Sequence, residues 1–391
     1  MLKRGASHDG IVIVGGGLAG QRCTESLRRN GYDGPIRLVC GESHLPYDRP
    51  PLSKQVLTGS ASEGSTTFRS PSWYEEQDVD LLLAAPAAAL DLVQRRVRLA
   101  NGSVLKFDWL LIATGGRPRT VPGLETGHRV STLRTRDDAT RLRDLLRDGA
   151  RLAVIGAGFI GQEVAASARA LGAGVTMIEA ARSPLVSVLG PALGDWFTRL
   201  HRAEGVAVFA GCTVTQVVNN GSLRLDISNG ATVEADHILV GTGIRPNLEW
   251  VADTQLHTAG GIPVDADGRT ACERVLAAGD AAATFDPIAG RHVAGSHWEA
   301  AGRQGSRAAR IMLGLDPGAV PLTSFWTDQY GIRIQYLGHA QLADRVEIDG
   351  QPEDRSFTAI FKRAGRAVAA LLVNRPRSLP AARKLIEKGL T

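Results

Sequence analysis

Two glycine-rich loops, about 140 residues apart, each follow a short apolar segment, and they constrain the fold of this chain more than any other feature. The first segment, Ile11–Val14, leads into GGGLAG at 15–20, and the second, at 152–155, leads into GAGFIG at 156–161. In such a loop the pyrophosphate of a dinucleotide contacts backbone amides at a helix N-terminus, and side chains on the glycines would block that approach. Because each loop has a predicted strand before it and a helical pattern after it, we expect two bound dinucleotides.

The two halves of the chain repeat one structural plan. In the first half a helix is predicted near Leu18–Arg29 and a second strand at Ile36–Val39, and in the second half the corresponding strand is predicted at 175–178. Each half continues into a β-meander and closes with an apolar strand that ends in Thr-Gly, at 114–115 and at 242–243. An internal repeat of this kind predicts two homologous Rossmann-like domains.

Two regions lie outside this repeat. Residues 42–72 are rich in Pro, Ser and Gly and predict an irregular segment. The last seventy residues or so contain Phe325, Trp326 and several short strands, which predict a small α+β domain. The predicted fold class is therefore α/β, with two Rossmann-like dinucleotide-binding domains and a small α+β C-terminal domain.

The composition is that of a globular protein of two or three domains, with 391 residues, of which 43% are hydrophobic and 22% charged. The net charge is +5, but no basic run appears, so a nucleic-acid partner is not expected. The positive charge would favour an acidic protein partner, or it only aids solubility. The longest apolar stretch, at 81–90, contains Pro86 and is too short to span a bilayer, and the N-terminus has no signal-peptide pattern. We therefore expect a cytoplasmic protein without a membrane partner.

The four cysteines are Cys23, Cys40, Cys212 and Cys272, and their spacing forms neither a CxxC nor a CxxxxC motif. A metal site or a local redox-active disulfide is therefore not expected. Unpaired thiols fit a reducing cytosol.

Acidic residues follow the second strand of each predicted Rossmann unit. An acid at this position hydrogen-bonds the adenosine ribose and repels a 2′-phosphate. In the second half this acid is Glu179, which favours NADH over NADPH, whereas Arg182 could instead receive the phosphate. In the first half Glu42 is the local acid that can serve the ribose, or it is a solvated carboxylate in a turn.

The segment LPYDRPPLSK at 45–54 combines a backbone restricted by prolines with two cations, Arg49 and Lys54. A guanidinium suits bidentate binding of a pyrophosphate. An ammonium beside a flavin would stabilise negative charge on the reduced ring. The alternative is a proline-rich surface loop with unrelated charges, and the neighbouring glycine loop argues against it.

Taken together, the motifs resemble the FAD-dependent, NADH-using ferredoxin reductases that serve bacterial oxygenases, including aromatic-ring dioxygenases and cytochromes P-450. Rubredoxin reductases and apoptosis-inducing factors are related to these enzymes. The resemblance covers nearly the whole chain, and its proline-rich and tryptophan-containing motifs are more specific than the glycine loops. In chain order the motifs are GGGLAG at 15–20, LPYDRPPLSK at 45–54, ATGGRPR at 113–119, GAGFIGQEVA at 156–165, GTGIRPN at 241–247, AAGDAA at 277–282, HWEAAGRQG at 297–305 and FWTDQYG at 325–331.

The resemblance implies a glutathione-reductase-like fold with an interrupted FAD domain. The implied domains are an FAD domain at 1–117 and 243–318, an NADH domain at 118–242 and a C-terminal α+β domain at 319–391. The implied enzyme is an FAD-dependent NAD(P)H:ferredoxin oxidoreductase. In it, NADH would give a hydride to FAD, and single electrons would pass to an iron–sulfur ferredoxin or a rubredoxin that feeds an oxygenase.

The resemblance also assigns catalytic residues. Lys54 would lie nearest the flavin, and Glu163 would lie near the nicotinamide and pair with Lys54. Trp298 and Trp326 would lie close to the isoalloxazine, and Trp326 completes the predicted catalytic set with Lys54 and Glu163. Relatives often carry an acid where Gly41 stands, so the ribose contact made by Glu42 would be shifted.

Further residues are predicted to bind the cofactors. Arg129 would add a phosphate contact, and Asp280 would bind the ribityl or pyrophosphate region of FAD. The complete predicted set is Gly15, Gly17, Leu18, Ala19, Gly20, Glu42, Arg49, Lys54, Ala87, Ala113, Thr114, Gly115, Arg129, Gly156, Gly158, Phe159, Ile160, Gly161, Glu163, Glu179, Gly243, Asp280, Trp298 and Trp326.

Three other functions stay open. An NADH oxidase or peroxidase usually needs one reactive cysteine just after the second strand of the FAD domain, and Cys40 lies several residues earlier. A disulfide reductase would need a partner for Cys40 in a CxxxxC motif. A redox sensor or scaffold, as relatives of apoptosis-inducing factors can be, is the third alternative.

Overall fold

The computed structural model describes residues 9–146, 149–286, 290–295, 297–320 and 322–390. The chain forms two compact units. Unit 1 consists of residues 1–48, 64–117 and 245–321, and unit 2 consists of residues 49–63, 118–244 and 322–391.

The helices, in chain order, are α1 (Leu18–Arg29), α2 (Gln55–Thr58), α3 (Pro71–Glu76), α4 (Arg136–Leu145), α5 (Phe159–Ala170), α6 (Val186–Ala203), α7 (Trp298–Met312) and α8 (Leu379–Leu390). Short 3-10 helices cover Pro50–Ser53, Glu63–Thr66, Glu249–Val251, Gly279–Ala281, Ala340–Leu342 and Pro376–Ser378.

The strands, in chain order, are β1 (Ile11–Val14), β2 (Ile36–Val39), β3 (Val79–Leu82), β4 (Ala87–Asp91), β5 (Arg96–Leu99), β6 (Val104–Lys106), β7 (Trp109–Ile112), β8 (Gly116–Pro118), β9 (Val130–Ser131), β10 (Arg151–Ile155), β11 (Gly174–Glu179), β12 (Ala207–Ala210), β13 (Val214–Asn220), β14 (Ser222–Ile227), β15 (Thr232–Ala235), β16 (His237–Val240), β17 (Ile244–Pro246), β18 (Ile262–Val264), β19 (Val275–Ala277), β20 (Ala282–Asp286), β21 (Arg291–Ala294), β22 (Ser324–Gln329), β23 (Ile332–Gly338), β24 (Arg345–Gln351), β25 (Ser356–Arg363) and β26 (Arg366–Val373).

Unit 1 is built on a parallel sheet with the strand order β19-β7-β1-β2-β3. Strand β1 lies at its centre, and Ile11 pairs with Ile36 on one side and with Trp109 on the other. Val12 and Ile13 point to opposite faces of the sheet, and both are fully buried. A parallel strand covered on both faces needs such a continuous apolar run, which explains why β1 was recognisable in the sequence.

Helices α1 and α7 pack closely in unit 1 because glycine replaces a side chain at their contact. A Cβ at Gly305 of α7 would overlap the backbone carbonyl of Ala19 in α1. Three residues earlier, a Cβ at Gly302 would lie 3.3 Å from Leu18 Cδ2, at the end of a flexible side chain. The packing of α7 therefore supports the first turn of α1, which directly follows the first glycine loop.

Unit 2 repeats the parallel arrangement with the strand order β12-β11-β10-β16-β9. Strand β10 pairs with β11 and β16 in parallel, with Leu152 opposite Val175 and His237. Strands β13, β14 and β15 form the antiparallel meander that precedes β16. The second glycine loop follows β10, as the first loop follows β1.

The C-terminal part of unit 2 is an antiparallel sheet with the strand order β22-β23-β26-β25-β24, followed by α8. One apolar cluster joins this sheet to helix α6. In it, Trp196 of α6 packs against Phe357 with ring centroids 5.2 Å apart, and Phe197 is also buried. This shared core explains why residues 118–244 and 322–391 form a single compact unit.

The fold class predicted from the sequence is confirmed, since two Rossmann-like sheets and a small α+β C-terminal region are present. The bounds predicted for α1, β1 and β2 match those observed. The segment at 42–72 is less irregular than expected, because α2, α3 and two 3-10 helices lie within or across it. Residues 49–63 also belong to unit 2, where Ser167 Oγ donates to the Ser53 carbonyl at 2.6 Å.

No helix in the described ranges is long and apolar enough to cross a bilayer.

The contact between α1 and α7 makes a prediction about stability. Gly305→Ala should lower the free energy of unfolding by about 1–3 kcal/mol, because a rigid backbone carbonyl must move. Gly302→Ala is the matched control on the same helix, since the Leu18 side chain can rotate away. It should be neutral or stabilising by up to about 1 kcal/mol through helix propensity. Denaturant unfolding of both variants measures the difference, and equal effects would contradict this account.

Candidate functional site

The first glycine loop uses its three fingerprint glycines differently. Gly15 has φ +123°, and a Cβ there would overlap the carbonyl of Ala113. A Cβ at Gly20 would overlap the carbonyl of Gly15, so the turn itself requires glycine at both positions. Gly17 is different, because a Cβ there would meet nothing within 4 Å and its φ is −74°.

The second loop shows the same division. Gly156 has φ +98°, and a Cβ there would lie 2.6 Å from the Gly241 carbonyl oxygen. A Cβ at Gly161 would overlap the carbonyl of Gly156. At Gly158 the nearest atom would be the Gly241 oxygen at 3.9 Å, and φ is an ordinary −71°.

The middle glycine of each loop, Gly17 or Gly158, is therefore not needed by the polypeptide itself. Each is the N-cap residue of the following helix, α1 or α5, and among the described residues no side chain caps either helix. The amides of the first turn are thus open to an anion, with the helix dipole favouring negative charge. A pyrophosphate fits both cradles, because it would occupy the space that a Cβ at the middle glycine would fill.

Glu179 lies at the end of β11, beside the second loop. Its Oε2 accepts a hydrogen bond from the Ala157 backbone N–H at 2.6 Å, and its Oε1 accepts one from the Ala181 N–H at 2.7 Å. The carboxylate is held at the loop by these two amides and remains partly exposed. Arg182 is exposed three residues later. This geometry suits recognition of ribose hydroxyls at the carboxyl edge of the sheet.

The first half has no acid at the position equivalent to Glu179. Gly15 N–H donates to Val39 O and Gly156 N–H donates to Ile178 O, each at 2.8 Å, so the residue that matches Glu179 is Cys40. Glu42 comes two residues later, and its Oε2 accepts the Tyr47 hydroxyl at 2.5 Å. Tyr47 therefore sets the orientation of the Glu42 carboxylate.

Position 41 has room for a larger residue. The nearest atom to a Cβ on Gly41 would be Pro86 Cβ at 3.9 Å, an ordinary van der Waals contact. The backbone thus has room for the acid that the resemblance implies at this position.

Cys40 is an unreactive thiol. It is buried, and burial raises the pKa of the Cys40 thiol to about 12, so the thiolate is not formed near neutral pH. Its sulfur lies where a Cβ on Gly16 would have to go, which gives it a packing role under the first loop. Among the described residues, Cys23, Cys212 and Cys272 are also free thiols. No group of three or more His, Cys, Asp or Glu in the described part of the chain could hold a metal ion.

A buried ion pair lies in unit 2, between Lys54 Nζ and Glu163 Oε2 at 2.6 Å. Glu163 is only 4% exposed and accepts two further hydrogen bonds. Ser53 Oγ donates to Oε2 at 2.5 Å, and Thr327 Oγ1 donates to Oε1 at 2.7 Å. Three donors, two of them from the adjacent residues Ser53 and Lys54 and one from Thr327 in β22, therefore satisfy this carboxylate, which a buried charge requires.

The predicted phosphate-binding arginines have defined partners in unit 2. Arg49 Nη1 donates to the Arg134 carbonyl at 2.6 Å, which orients the Arg49 guanidinium. Arg129 Nη1 donates to the Gly221 carbonyl at 2.5 Å, in the turn between β13 and β14. For Arg129 this contact supports a role in holding that turn.

The predicted residues of unit 1 lie on several elements. Trp298, the first residue of α7, donates its indole N–H to Asp48 Oδ1 at 2.5 Å. Asp280 lies in the 3-10 helix at Gly279–Ala281, and Ala87 packs against the apolar core. The turn at 113–115 is held by the backbone of Asn247. The Asn247 carbonyl accepts from Thr114 Oγ1 at 2.8 Å, and the Asn247 N–H donates to the Gly115 carbonyl at 2.9 Å.

Other predicted residues lie in unit 2. Phe159 packs edge-on against Phe325 with ring centroids 4.5 Å apart, and Ile160 is 43% exposed. The Arg333 guanidinium lies 5.8 Å from the ring centroid of Trp326. Gly243 has φ +101°, which favours glycine at the end of the Thr-Gly turn.

Sequence reasoning missed the buried or half-buried polar residues that support the site. All but His201 lie within the motifs listed above, at 45–54, 156–165 and 325–331, but the prediction gave roles only to neighbouring residues of those motifs. The position of Gln162 directly after the second loop, like Gln21 after the first, is a signal that could have drawn attention to it. The missed residues in unit 2 are Ser53, Gln162, His201, Thr327 and Tyr330.

Two protein families match most of the chain. Residues 9–305 match the pyridine nucleotide-disulphide oxidoreductase family, and residues 324–391 match the reductase C-terminal family.

Two curated relatives are similar over nearly their full length. The chain is 39% identical over 388 residues to the anthranilate 1,2-dioxygenase system ferredoxin–NAD(+) reductase component of Burkholderia cepacia, covering 98% of this chain and 95% of the relative. It is 37% identical over 383 residues to the p-cumate 2,3-dioxygenase system ferredoxin–NAD(+) reductase component of Pseudomonas putida, covering 97% and 93%.

Solved structures show the same similarity. The fold matches a chain of the covalent putidaredoxin reductase–putidaredoxin complex with a TM-score of 0.94 and 31% identity, covering 98% of this chain and 94% of that chain. It matches the ferredoxin reductase for the CYP199A2 system from Rhodopseudomonas palustris with a TM-score of 0.88 and 33% identity, covering 94% and 91%.

Because the space at the middle glycines is free, we expect a methyl group there to weaken dinucleotide binding with little effect on the free energy of unfolding. Gly158→Ala should lower the free energy of unfolding by no more than about 1 kcal/mol, the cost of alanine at an N-cap. It should weaken NAD+ binding about tenfold or more, because the methyl group occupies the pyrophosphate position. Gly17→Ala should reduce the flavin content of purified protein in the same way.

Gly127→Ala serves as the control in unit 2, because a Cβ there meets nothing within 4 Å and Gly127 lies outside the dinucleotide loop. Calorimetric titration with NAD+ and flavin absorbance measure the two effects. Unchanged NAD+ affinity in Gly158→Ala would contradict the assignment of the cradle.

Proposed function

We propose that this chain, which belongs to the pyridine nucleotide-disulphide oxidoreductase family, is a flavoprotein that moves electrons from NADH through FAD to a 2Fe–2S ferredoxin feeding an oxygenase. One observation carries the proposal: the chain has two glycine loops whose middle glycines the polypeptide does not itself require. A protein with two open dinucleotide cradles is suited to electron transfer between two dinucleotides. Full-length similarity to ferredoxin reductase components of dioxygenase systems supports the same function.

The two cradles would take the two cofactors. The loop at 15–20 in unit 1 would hold the pyrophosphate of FAD, and the loop at 156–161 in unit 2 would hold that of NADH. Bound FAD would supply hydride acceptance and release of single electrons. In this proposal residues 1–117 and 243–318 form the FAD domain, residues 118–242 the NADH domain and residues 319–391 the C-terminal domain.

Lys54 supplies a fixed positive charge in this proposal. Glu163 holds the ammonium in place, while Ser53 and Thr327 hold the carboxylate. A charge fixed in advance stabilises developing negative charge without reorganisation, which is the usual electrostatic contribution of a protein to such chemistry. No nucleophile or general base is needed in this proposal.

NADH is the proposed donor because of Glu179. A carboxylate held at the second loop would accept hydrogen bonds from ribose hydroxyls and repel a 2′-phosphate. Arg182 is the residue that could favour NADPH instead, and its side chain is exposed.

The proposed partner is an acidic iron–sulfur ferredoxin, with a rubredoxin as the alternative acceptor. The net charge of +5 favours association with an acidic protein. A Rieske dioxygenase or a cytochrome P-450 would be the oxygenase supplied. The free cysteines among the described residues fit the cytoplasm as its location.

A peroxidase or NADH oxidase is a weaker candidate. Its reactive cysteine would have to be accessible and ionised, whereas Cys40 is buried with a raised pKa. A redox sensor or scaffold would bind both cofactors without rapid turnover.

The test of the proposal is electron transfer dependent on an added ferredoxin. Purified protein should be yellow with bound flavin, and should reduce cytochrome c with NADH only when a suitable 2Fe–2S ferredoxin is present. Ferricyanide reduction without ferredoxin checks the flavin step separately. Protein that stays colourless when FAD is supplied would overturn the proposal, and slow ferricyanide reduction with a long-lived charge-transfer band would favour the scaffold.

The preference for NADH makes a second test. Glu179→Ala combined with Ala180→Arg should reduce the ratio of kcat/KM for NADH to that for NADPH by about tenfold or more, because charge-assisted hydrogen bonds to the ribose are lost. Position 180 is exposed and can accept an arginine.

Glu234→Ala is the control for this test, because it removes an exposed carboxylate that pairs with Arg151 elsewhere in unit 2. The ratio should not change in this control. An unchanged ratio in the Glu179 double variant would remove Glu179 from the ribose site.

A further inference from the structure

A histidine lies in the interior of unit 2 with partners on both ring nitrogens. His201 of α6 is fully buried. Its Nδ1 lies 2.7 Å from Tyr330 Oη, and its Nε2 lies 3.1 Å from Gln162 Oε1. Burial lowers the pKa of His201 to about 4, so the ring is neutral near pH 7. One ring nitrogen must therefore donate and the other accept.

The partners determine which nitrogen donates. The Ala157 carbonyl can only accept, and Gln162 donates its Nε2–H to it at 2.8 Å. The Gln162 oxygen therefore faces His201 and accepts from Nε2–H. Nδ1 must then accept from the Tyr330 hydroxyl, which burial keeps protonated by raising the pKa of Tyr330. The bonds run in one direction from Tyr330 through His201 and Gln162 to Ala157.

This chain of hydrogen bonds ends on the glycine loop itself. The Ala157 carbonyl and the Gly158 N–H belong to the same planar trans peptide and point in opposite directions. When Gln162 holds the carbonyl, the Gly158 N–H is therefore directed away from the buried side of the loop. The Ala157 N–H is held by Glu179, so both polar groups of Ala157 are fixed.

The first loop lacks this arrangement, although it has a glutamine at the matching position. Gln21 Nε2 donates to Glu25 Oε1 at 3.1 Å, and the Tyr74 hydroxyl donates to Gln21 Oε1 at 2.7 Å. Here the buried phenol reaches the glutamine directly, and the amide is directed along α1 to Glu25. Only in the second loop's network does a histidine lie between the phenol and the glutamine, because α6 and the turn between β22 and β23 both approach α5.

We propose that His201 is a positioning residue for the pyridine nucleotide, which through Gln162 fixes the peptide that presents the Gly158 amide to the pyrophosphate. Tyr330 lies in the turn between β22 and β23, so the C-terminal strands take part in shaping the nucleotide loop. This inference rests on the proposed function, because it assigns the second loop to NADH.

Two substitutions of His201 separate positioning from packing. The Gln side chain places its Nε2–H near the position of the imidazole Nε2–H, so His201→Gln keeps a donor for Gln162. The shorter His201→Asn places its amide near Nδ1 and loses the bond to Gln162. Gln162→Met removes the same bond from the other side, with a side chain of similar length.

The readouts are the Kd for NAD+ from calorimetric titration, amide hydrogen exchange of the segment at 156–161, and kcat and KM for NADH with ferricyanide. His201→Asn and Gln162→Met should raise the Kd and KM about three- to tenfold, as expected for one lost hydrogen bond. Exchange in the loop should become faster, while flavin content and kcat at saturating NADH stay close to wild type. His201→Gln should remain within about twofold of wild type.

Tyr330→Phe and Tyr74→Phe form a matched pair, because each removes a phenol hydroxyl that donates into one of the two glutamine networks. Only Tyr330→Phe should weaken NAD+ binding, and it carries the test if the His201 variants do not fold. Wild-type affinity and exchange in His201→Asn, Gln162→Met and Tyr330→Phe would overturn the inference. Failure of the wild-type protein to bind NAD+ would instead overturn the proposed function.

Discussion

Both units depend on one constraint, which is that a strand must turn directly into a helix while leaving the helix amides open to an anion. In each unit the first and third fingerprint glycines meet this constraint inside the protein. Gly15 and Gly156 adopt positive φ, and Gly20 and Gly161 let the helix pass against the loop carbonyl. The middle glycine keeps the remaining space clear for a ligand. Unit 1 adds a second close contact, since Gly305 lets α7 pack on the first turn of α1.

In unit 2 the helix that follows the glycine loop also organises the buried polar groups. Gln162 and Glu163 are adjacent on α5, but their side chains have different hydrogen-bond partners. Gln162 is linked through His201 to the turn after β22, whereas Glu163 accepts from Thr327 within β22 and from Lys54. Buried polar groups destabilise a fold unless they are paired, and here each pair joins a separate stretch of the chain. The C-terminal strands therefore support both the nucleotide loop and the lysine.

Much of the fold could be predicted because its signals are local. Strands such as β1 are continuous apolar runs that end at a glycine, and α1 begins at the residue after the middle glycine. The short helices between residues 50 and 76 could not be predicted, because prolines and serines fit turns as well as helix starts. Hydrogen bonds between residues distant in sequence could not be predicted for another reason. The bonds from Arg129 to Gly221 and from Arg49 to Arg134 depend on loop geometry that no local pattern encodes.

The sequence by itself determined that the chain has two dinucleotide cradles, since glycine spacing and apolar strands are properties of neighbouring residues. It also determined the α/β fold class and the identity of the acid, Glu179, that follows the second strand. Only the tertiary structure decided which glycines the protein needs for itself and which it leaves clear, because at Gly15 and Gly156 that depends on carbonyl groups distant in sequence. It alone decided that Glu163 has three donors and that His201 reaches the loop through Gln162. Such contacts arise when separate elements pack into one core, and their sequence separation hides them from any local pattern.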